Sequence, residues 1–151
     1  GNKGMEFIYE FYDELKILSQ NTTLSNFDDY KLKKILNPGK IIELQNEVKK
    51  VFSSDEIKNY IVNIVNETRS KDFSYAKYIS YGASPRASIA LYITSKAEAL
   101  MNGRDYVLPD DVKAVAHAVL RHRIILNYEA EAEKVSTDKV IDYVLSEVKV
   151  P

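Results

Sequence analysis

The 151-residue sequence has no cysteine, so neither a disulfide framework nor a thiolate zinc site can be built from it. That absence fits a reducing compartment. Chain breakers are scarce as well: five glycines and four prolines leave room for long regular elements. No apolar run approaches the roughly 20 residues that a membrane-crossing helix needs. Gly1 to Gly4 lack the charged-then-apolar layout of a signal peptide and read as a cloning remnant, so the expected location is the cytoplasm and no membrane partner is expected. Neither sign of charge is in excess, with 21 Lys and Arg against 22 Asp and Glu. That balance argues against nucleic acid as the main partner, while leaving room for a local basic face.

Catalytic signatures are also missing. No G-x-x-x-x-G-K-[ST] loop is present to wrap the phosphates of a nucleotide. No apolar strand ends in Asp-Glu to hold magnesium and position water. The two histidines, His117 and His122, lie five residues apart, about 140° out of register on a helix, and cannot share a metal as an i,i+4 pair would. No metal site is expected, and nothing resembles a nucleophile elbow. A catalytic centre contained within these residues is therefore not expected.

What is present is helical periodicity in a chain that is 45% hydrophobic and 28% charged. Phe7, Ile8, Phe11, Leu15 and Leu18 predict a helix over 5–18. Residues 21–26 read as a loop, and a weaker helical stretch is predicted over 28–36. Asn37-Pro38 is a helix start, with Ile41, Ile42, Leu44, Val48 and Val51 as its expected buried stripe. Ser53 and Glu56 can form a capping box for the next helix, which carries Ile57, Tyr60, Ile61, Ile64 and Val65 and ends near Arg69. Residues 70–81 hold several aromatics without a clean period and read as a mostly irregular connector.

Ser84-Pro85 opens the best-defined helix, which runs through Ile89, Leu91, Ile93, Ala97 and Leu100 to a stop at Asn102-Gly103. Tyr106 to Leu108 looks extended. Pro109-Asp110-Asp111 then starts a helix whose apolar residues are Val112, Val115, Ala116, Val119, Leu120 and Ile124. A last helix begins near Ser136 and buries Val140, Ile141, Val144 and Leu145. Six or seven helices with no convincing sheet predict an all-α helical bundle.

The most informative segment is Gly82-Ala83-Ser84-Pro85-Arg86-Ala87-Ser88. It combines a flexible glycine, an N-cap serine, a proline in the first helical turn and an arginine directly after it. A cation in the first turn opposes the helix dipole at a cost of a few tenths of a kcal/mol up to about 1. Exposed amides and a guanidinium converging on one point form a receptor for phosphate. The plainer reading is that Arg86 turns to a nearby carboxylate or to solvent, and the residues alone leave both open.

Three motifs in order resemble one family. Gly82 to Ala87 is similar to the G-x-S-P-R-A signature of the MoxR branch of AAA+ ATPases. Ala99 to Val112 (ALMNGRDYVLPDDV) is similar to its A-x-x-x-G-R-D-Y-V-x-P-D-D-V, and Val119 to Leu126 to its V-L-x-H-R-x-x-L. The match extends over 36–69 and to the Val148-Lys149-Val150-Pro151 ending, and is weak before residue 35. The resemblance implies the helical C-terminal lid of such an ATPase over 35–151; residues 1–34, where the match is weak, read from their own periodicity as an N-terminal helical segment. The resemblance also implies that Arg86 is the sensor 2 residue, reaching with Ser84 and Pro85 toward ATP and Mg bound in a separate core domain absent here. No cofactor would then be held tightly by this chain alone. Implied partners are that core domain, a homo-oligomeric ring (a hexamer) and von Willebrand factor A domain proteins, in a chaperone-like or regulatory ATPase.

Gly103 to Val112 also has a purely structural explanation: a C-cap, packing residues, dipole partners, and an Arg104 ion pair with Asp105 or Asp111. His122-Arg123 suits either a contact with the core or a neighbouring subunit, or a half-buried helix end. A Gly-Arg turn, a Tyr-Val stretch and Pro-Asp-Asp-Val also resemble part of a histone fold, which would make the chain a DNA-binding or dimerising module. A helical adaptor with an apolar groove is a third reading.

Overall fold

Six α-helices and one short two-stranded sheet make up residues 39–151 and the turn that leads into them. The computed structural model describes residues 11–19, 31 and 33–151. The chain divides into a unit 1–38 and a unit 39–151. In the first, α1 (11–19) is helical, as the apolar spacing predicts, with Phe11, Leu15 and Leu18 exposed. The predicted start of that helix at 5–10 and the loop at 21–26 lie outside the described residues. Most of the weaker helix expected at 28–36 does too, and 33–37 carry no helix.

In the second unit the elements follow as α2 (Pro38–Lys50), α3 (Asp55–Glu67), a 3-10 turn (Ala76–Tyr78), β1 (Ile79–Tyr81), α4 (Pro85–Met101), α5 (Pro109–Leu120), β2 (Ile125–Leu126), α6 (Tyr128–Ala132) and α7 (Thr137–Glu147). The core lies among α3, α4, α5 and α7, with α4 and α5 in the most extensive contact. The inward face of α3 is Ile57, Tyr60, Ile61, Ile64 and Val65; that of α5 is Val112, Val115, Ala116, Val119 and Leu120. Val140, Ile141 and Val144 of α7 complete it. Each fully buried Ile or Leu here contributes about 1.5–3 kcal/mol. On α4 the buried apolar residues are mainly small, Ala87 and Ala99 with Leu91, while Ile89 and Ile93 face outward.

The predicted stripe on α2 is corrected by the structure. No residue of α2 is buried; Ile41, Ile42 and Leu44 are exposed and only Val51, just beyond the helix, is buried. Within this unit the C-terminal end of α2 is tied to α4. There the Lys96 ammonium of α4 donates to the Lys49 carbonyl at 2.9 Å and lies 5.2 Å from the Tyr92 ring centre. A cation there meets the negative end of the α2 dipole, which is why a lysine that is only 8% exposed is tolerated without a carboxylate. The cap of α3 also shifts by one residue: Ser54 Oγ accepts from the Ile57 N–H, and Ser53 is buried beside it.

The connector at 70–81 is more ordered than its lack of period suggests. β1 pairs antiparallel with β2, Ile79 opposite Leu126 and Tyr81 opposite Ile125. Asn127 joins the two ends: its N–H and Nδ2 donate to the Tyr78 and Lys77 carbonyls, and its Oδ1 caps α6. Phe73, Tyr75 and Tyr78 gather beside Tyr143 of α7, with Tyr75 and Tyr143 rings 4.7 Å apart. Offset aromatic pairs of this kind contribute about 0.5–1.5 kcal/mol beyond their buried area.

The link between α4 and α5 follows its predicted chemistry. Gly103 adopts φ +74°, the Arg104 N–H returns to the Ala99 carbonyl and the Gly103 N–H to that of Leu100, closing α4 in a Schellman turn. The extended stretch then bridges in parallel to Phe52, with Phe52 N–H on Asp105 O and Val107 N–H on Phe52 O. Asp111 closes the arrangement. Buried at 2% exposure, it takes both guanidinium nitrogens of Arg104, at 2.5 and 2.6 Å, and the Leu108 N–H at 2.8 Å. The Arg104 hydrogen bonds, then that N–H, hold its carboxyl below the usual aspartate range despite burial.

Asp111→Asn removes the charge from this pair and should destabilise the chain by about 2–3 kcal/mol in urea unfolding, at the lower side of the range for broken buried pairs because Arg104 keeps some solvent access. Because the folded-state pKa is depressed, the pair's contribution is fully present above about pH 5 and fades as pH falls through 4 and below. Asp111→Asn should therefore remove part of the acid sensitivity of wild-type stability between those limits. Gly103→Ala forces a side chain into a left-handed position and should cost about 1 kcal/mol in the same measurement, although space around it is open.

Candidate functional site

The tip of the second unit is built where the end of α3 meets the start of α4. Apolar periodicity carries α3 inward to Val65, and the helix then ends at Thr68, only 1% exposed. The Thr68 hydroxyl donates to the Val65 carbonyl at 2.7 Å and accepts the Ala83 N–H at 2.9 Å. Arg69, the next residue, donates from Nη1 to the Ala83 carbonyl at 3.0 Å and from Nη2 to Asn66 Oδ1. Both polar groups of one buried residue, Ala83, are thus held by two consecutive side chains. Gly82 packs against the same corner, and a Cβ there would lie 2.2 Å from the Thr68 carbonyl oxygen. Sequence reasoning assigned Gly82 to flexibility; its role in the structure is close approach.

From this clamped residue the chain enters α4. Ser84 occupies the N-cap position with extended backbone, as predicted, but its side chain makes no cap bond. Pro85 fills the first turn, where its missing N–H costs nothing. The Ala87 N–H turns back to the Ser84 carbonyl at 2.8 Å. Ser84, Pro85 and Arg86 are all exposed, and the first turn holds no acidic residue. The positive end of a 17-residue helix and one guanidinium therefore share this point with no carboxylate of that turn.

The other arginines are engaged. Arg69 holds Ala83 and Asn66, Arg104 holds Asp111, Arg121 pairs with Asp138 through Nε and Nη2, and Arg123 donates to the Val119 carbonyl. Arg86 has no hydrogen bond or ion pair among the described residues. Of the plainer sequence alternatives, the structure contains no carboxylate partner for Arg86 among the described residues and leaves its side chain in solvent.

An open cleft of about 570 Å³ lies beside the clamp, walled by Arg69, Lys71, Lys77, Ile79, Tyr81 and Gly82 among others. Ser84, Pro85 and Arg86 are not part of its walls. Among the described residues no group of three or more His, Asp or Glu side chains is placed to hold a metal ion. His117 instead contacts Asp142 of α7 at 2.7 Å, and His122 contacts Arg123. The histone-like features resolve into local chemistry, since Gly103 ends α4 and Arg104 is bound to Asp111. No described helix is long and apolar enough to cross a membrane.

Thr68 and Arg69 went unremarked in the sequence beyond marking a helix end. Their partner lies 14 to 15 residues away across an aperiodic connector, so spacing carried no signal.

Comparison with known proteins agrees with the helical fold. The AAA lid domain family matches residues 74–144. The chain is 38% identical over 141 residues to YeaC of Bacillus subtilis, itself uncharacterised, covering 93% of this chain and 42% of that protein. It is 37% identical over 123 residues to Chaperone MoxR1 of Mycobacterium tuberculosis, covering 79% of this chain and 33% of that one. The crystal structure of a protein from Cytophaga hutchinsonii, classed provisionally as an ATPase, superposes with TM-score 0.74 at 40% identity, over 91% of this chain and 42% of that one. The chain thus spans well under half the length of these relatives. Its helical fold, its ordered motifs and these likenesses place it in one family: the chain belongs to the AAA lid domains of MoxR-type AAA+ ATPases.

Proposed function

We propose that the chain serves as the lid of a longer ATP-hydrolysing protein and that Arg86 is its sensor 2 residue. The observation that carries this reading is the free guanidinium: of the five arginines, all within the described residues, Arg86 alone lacks a partner, and it stands at a helix N-terminus. A phosphate oxygen would there meet a fixed cation and the positive end of the α4 dipole together. Arg86 would stabilise charge that develops on the transferred phosphoryl group and would register its loss after hydrolysis. Ser84 and Pro85 would shape the turn that presents it. ATP and magnesium would be held by a core domain carrying the P-loop and the Asp-Glu strand, which this chain lacks, so these residues have no hydrolytic activity of their own.

The name of the mycobacterial relative supports chaperone-like work for the whole protein. A cytoplasmic hexameric ring, and client or partner proteins with von Willebrand factor A domains, follow from the same family reading. Nothing in Ser84, Pro85 or Arg86 selects among clients.

In the full ATPase, Arg86→Ala should lower kcat for ATP hydrolysis on the order of a hundredfold. The same substitution in the 151-residue chain should leave its circular dichroism and melting temperature unchanged, because Arg86 is exposed and makes no hydrogen bond or ion pair among the described residues. Unchanged hydrolysis would sink the sensor reading.

A further inference from the structure

We propose that Thr68 and Arg69 are positioning residues for Arg86, acting through the two polar groups of Ala83; this rests on the sensor reading of Arg86. Arg86 is exposed and makes no hydrogen bond or ion pair among the described residues, so no polar partner fixes it and its location depends on the backbone of the first turn of α4. That backbone emerges from Ala83, which is fully buried. Its N–H is held by Thr68 at 2.9 Å and its carbonyl by Arg69 at 3.0 Å, which leaves the peptide little freedom to shift along or across the chain.

The clamp is itself braced. The Thr68 hydroxyl is oriented by its bond to the Val65 carbonyl, and the second arm of Arg69 by Asn66. Gly82 closes the remaining gap, since no side chain fits between it and the Thr68 carbonyl. Arg69 therefore binds neutral oxygens rather than a carboxylate. Its forked donors suit two acceptors at a fixed angle, a geometry that one lysine ammonium reproduces only in part. A misplacement of about 1 Å in a catalytic group costs up to roughly a hundredfold in rate, so a stiff base matters for a side chain with no polar partner.

The test uses the full ATPase, with kcat and KM for ATP measured for Thr68→Val, Thr68→Ser, Arg69→Ala and Arg69→Lys, each alone and combined with Arg86→Ala. Thr68→Val and Arg69→Ala should each lower kcat about tenfold, with KM changed much less. Thr68→Ser, which keeps the hydroxyl, should restore most of the rate, and Arg69→Lys part of it. On the Arg86→Ala background the losses should vanish, because the residue being positioned is gone. Losses of the same size on that background, or no loss in either single variant while Arg86→Ala is impaired, would overturn the positioning role alone. A kcat unaffected by Arg86→Ala would instead overturn the sensor reading and this proposal with it. Amide exchange in the 151-residue chain gives a readout independent of ATP: Thr68→Val should accelerate exchange at Ala83, and unchanged protection there would refute the clamp.

Discussion

The close passage of Gly82 over the end of α3 is the constraint on which the tip of this fold depends. A backbone that turns inward at Ala83 must satisfy its N–H and carbonyl without water, and an irregular connector has no ladder to do so. Thr68 and Arg69 supply the missing partners, and the absence of a Cβ at position 82 lets them come near enough. From there the consequences run outward. The start of α4 is set, α4 packs on α3 and most extensively on α5, and Asp111 at the head of α5 holds Arg104 from the end of α4. A small set of polar contacts thus links both ends of the central helix to an apolar core.

The distribution of charge follows the same division. Several cations in this unit hold parts of the fold together: Arg104 on a buried carboxylate, Arg121 across to Asp138 on α7, Lys96 at the carbonyl end of α2. The Arg121–Asp138 contact is exposed, so solvent and salt screen most of its worth. Asp111 differs because water is excluded and its second oxygen also serves the Leu108 N–H. Among these engaged arginines, a free one in a helical first turn stands out on electrostatic grounds rather than by its position in a motif.

Features set by near neighbours were legible in the sequence. Pro38, Ser84-Pro85, Asn102-Gly103, Pro109 and Ser136 mark helix ends because caps depend on residues within a turn or so. The apolar faces of α3, α5 and α7 were readable for the same reason. What escaped required knowledge of distant partners. The stripe on α2 is real as a pattern, yet periodicity reports which side is apolar and not whether anything covers it. β1 and β2 are three and two residues long and lie more than forty residues apart, too short for a period to show. The five-residue α6 is similarly brief, and the turn after its Glu133 cap passes through Lys134 at φ +56°, a residue type that does not announce a left-handed turn. At the candidate site Arg86 itself could be singled out from local chemistry, whereas the clamp beneath it could not.

An arginine beside the positive end of a helix has an unfavourable interaction with the dipole of a few tenths of a kcal/mol up to about 1. Left unpartnered, it also retains the rotamer entropy of a long side chain, about 2 kcal/mol, which any ligand would have to remove. Engagement with a phosphate reverses the first effect by neutralising both positive partners. The second effect is confined to one side chain only if the backbone beneath it is already fixed. The structure meets that condition: Ala83 is held on both faces, Gly82 is packed, and Pro85 restricts the first turn. A stiff pedestal with a free tip restricts the ordering cost to the guanidinium and its stem, and it makes the reach of Arg86 a property of how the end of α3 is tied.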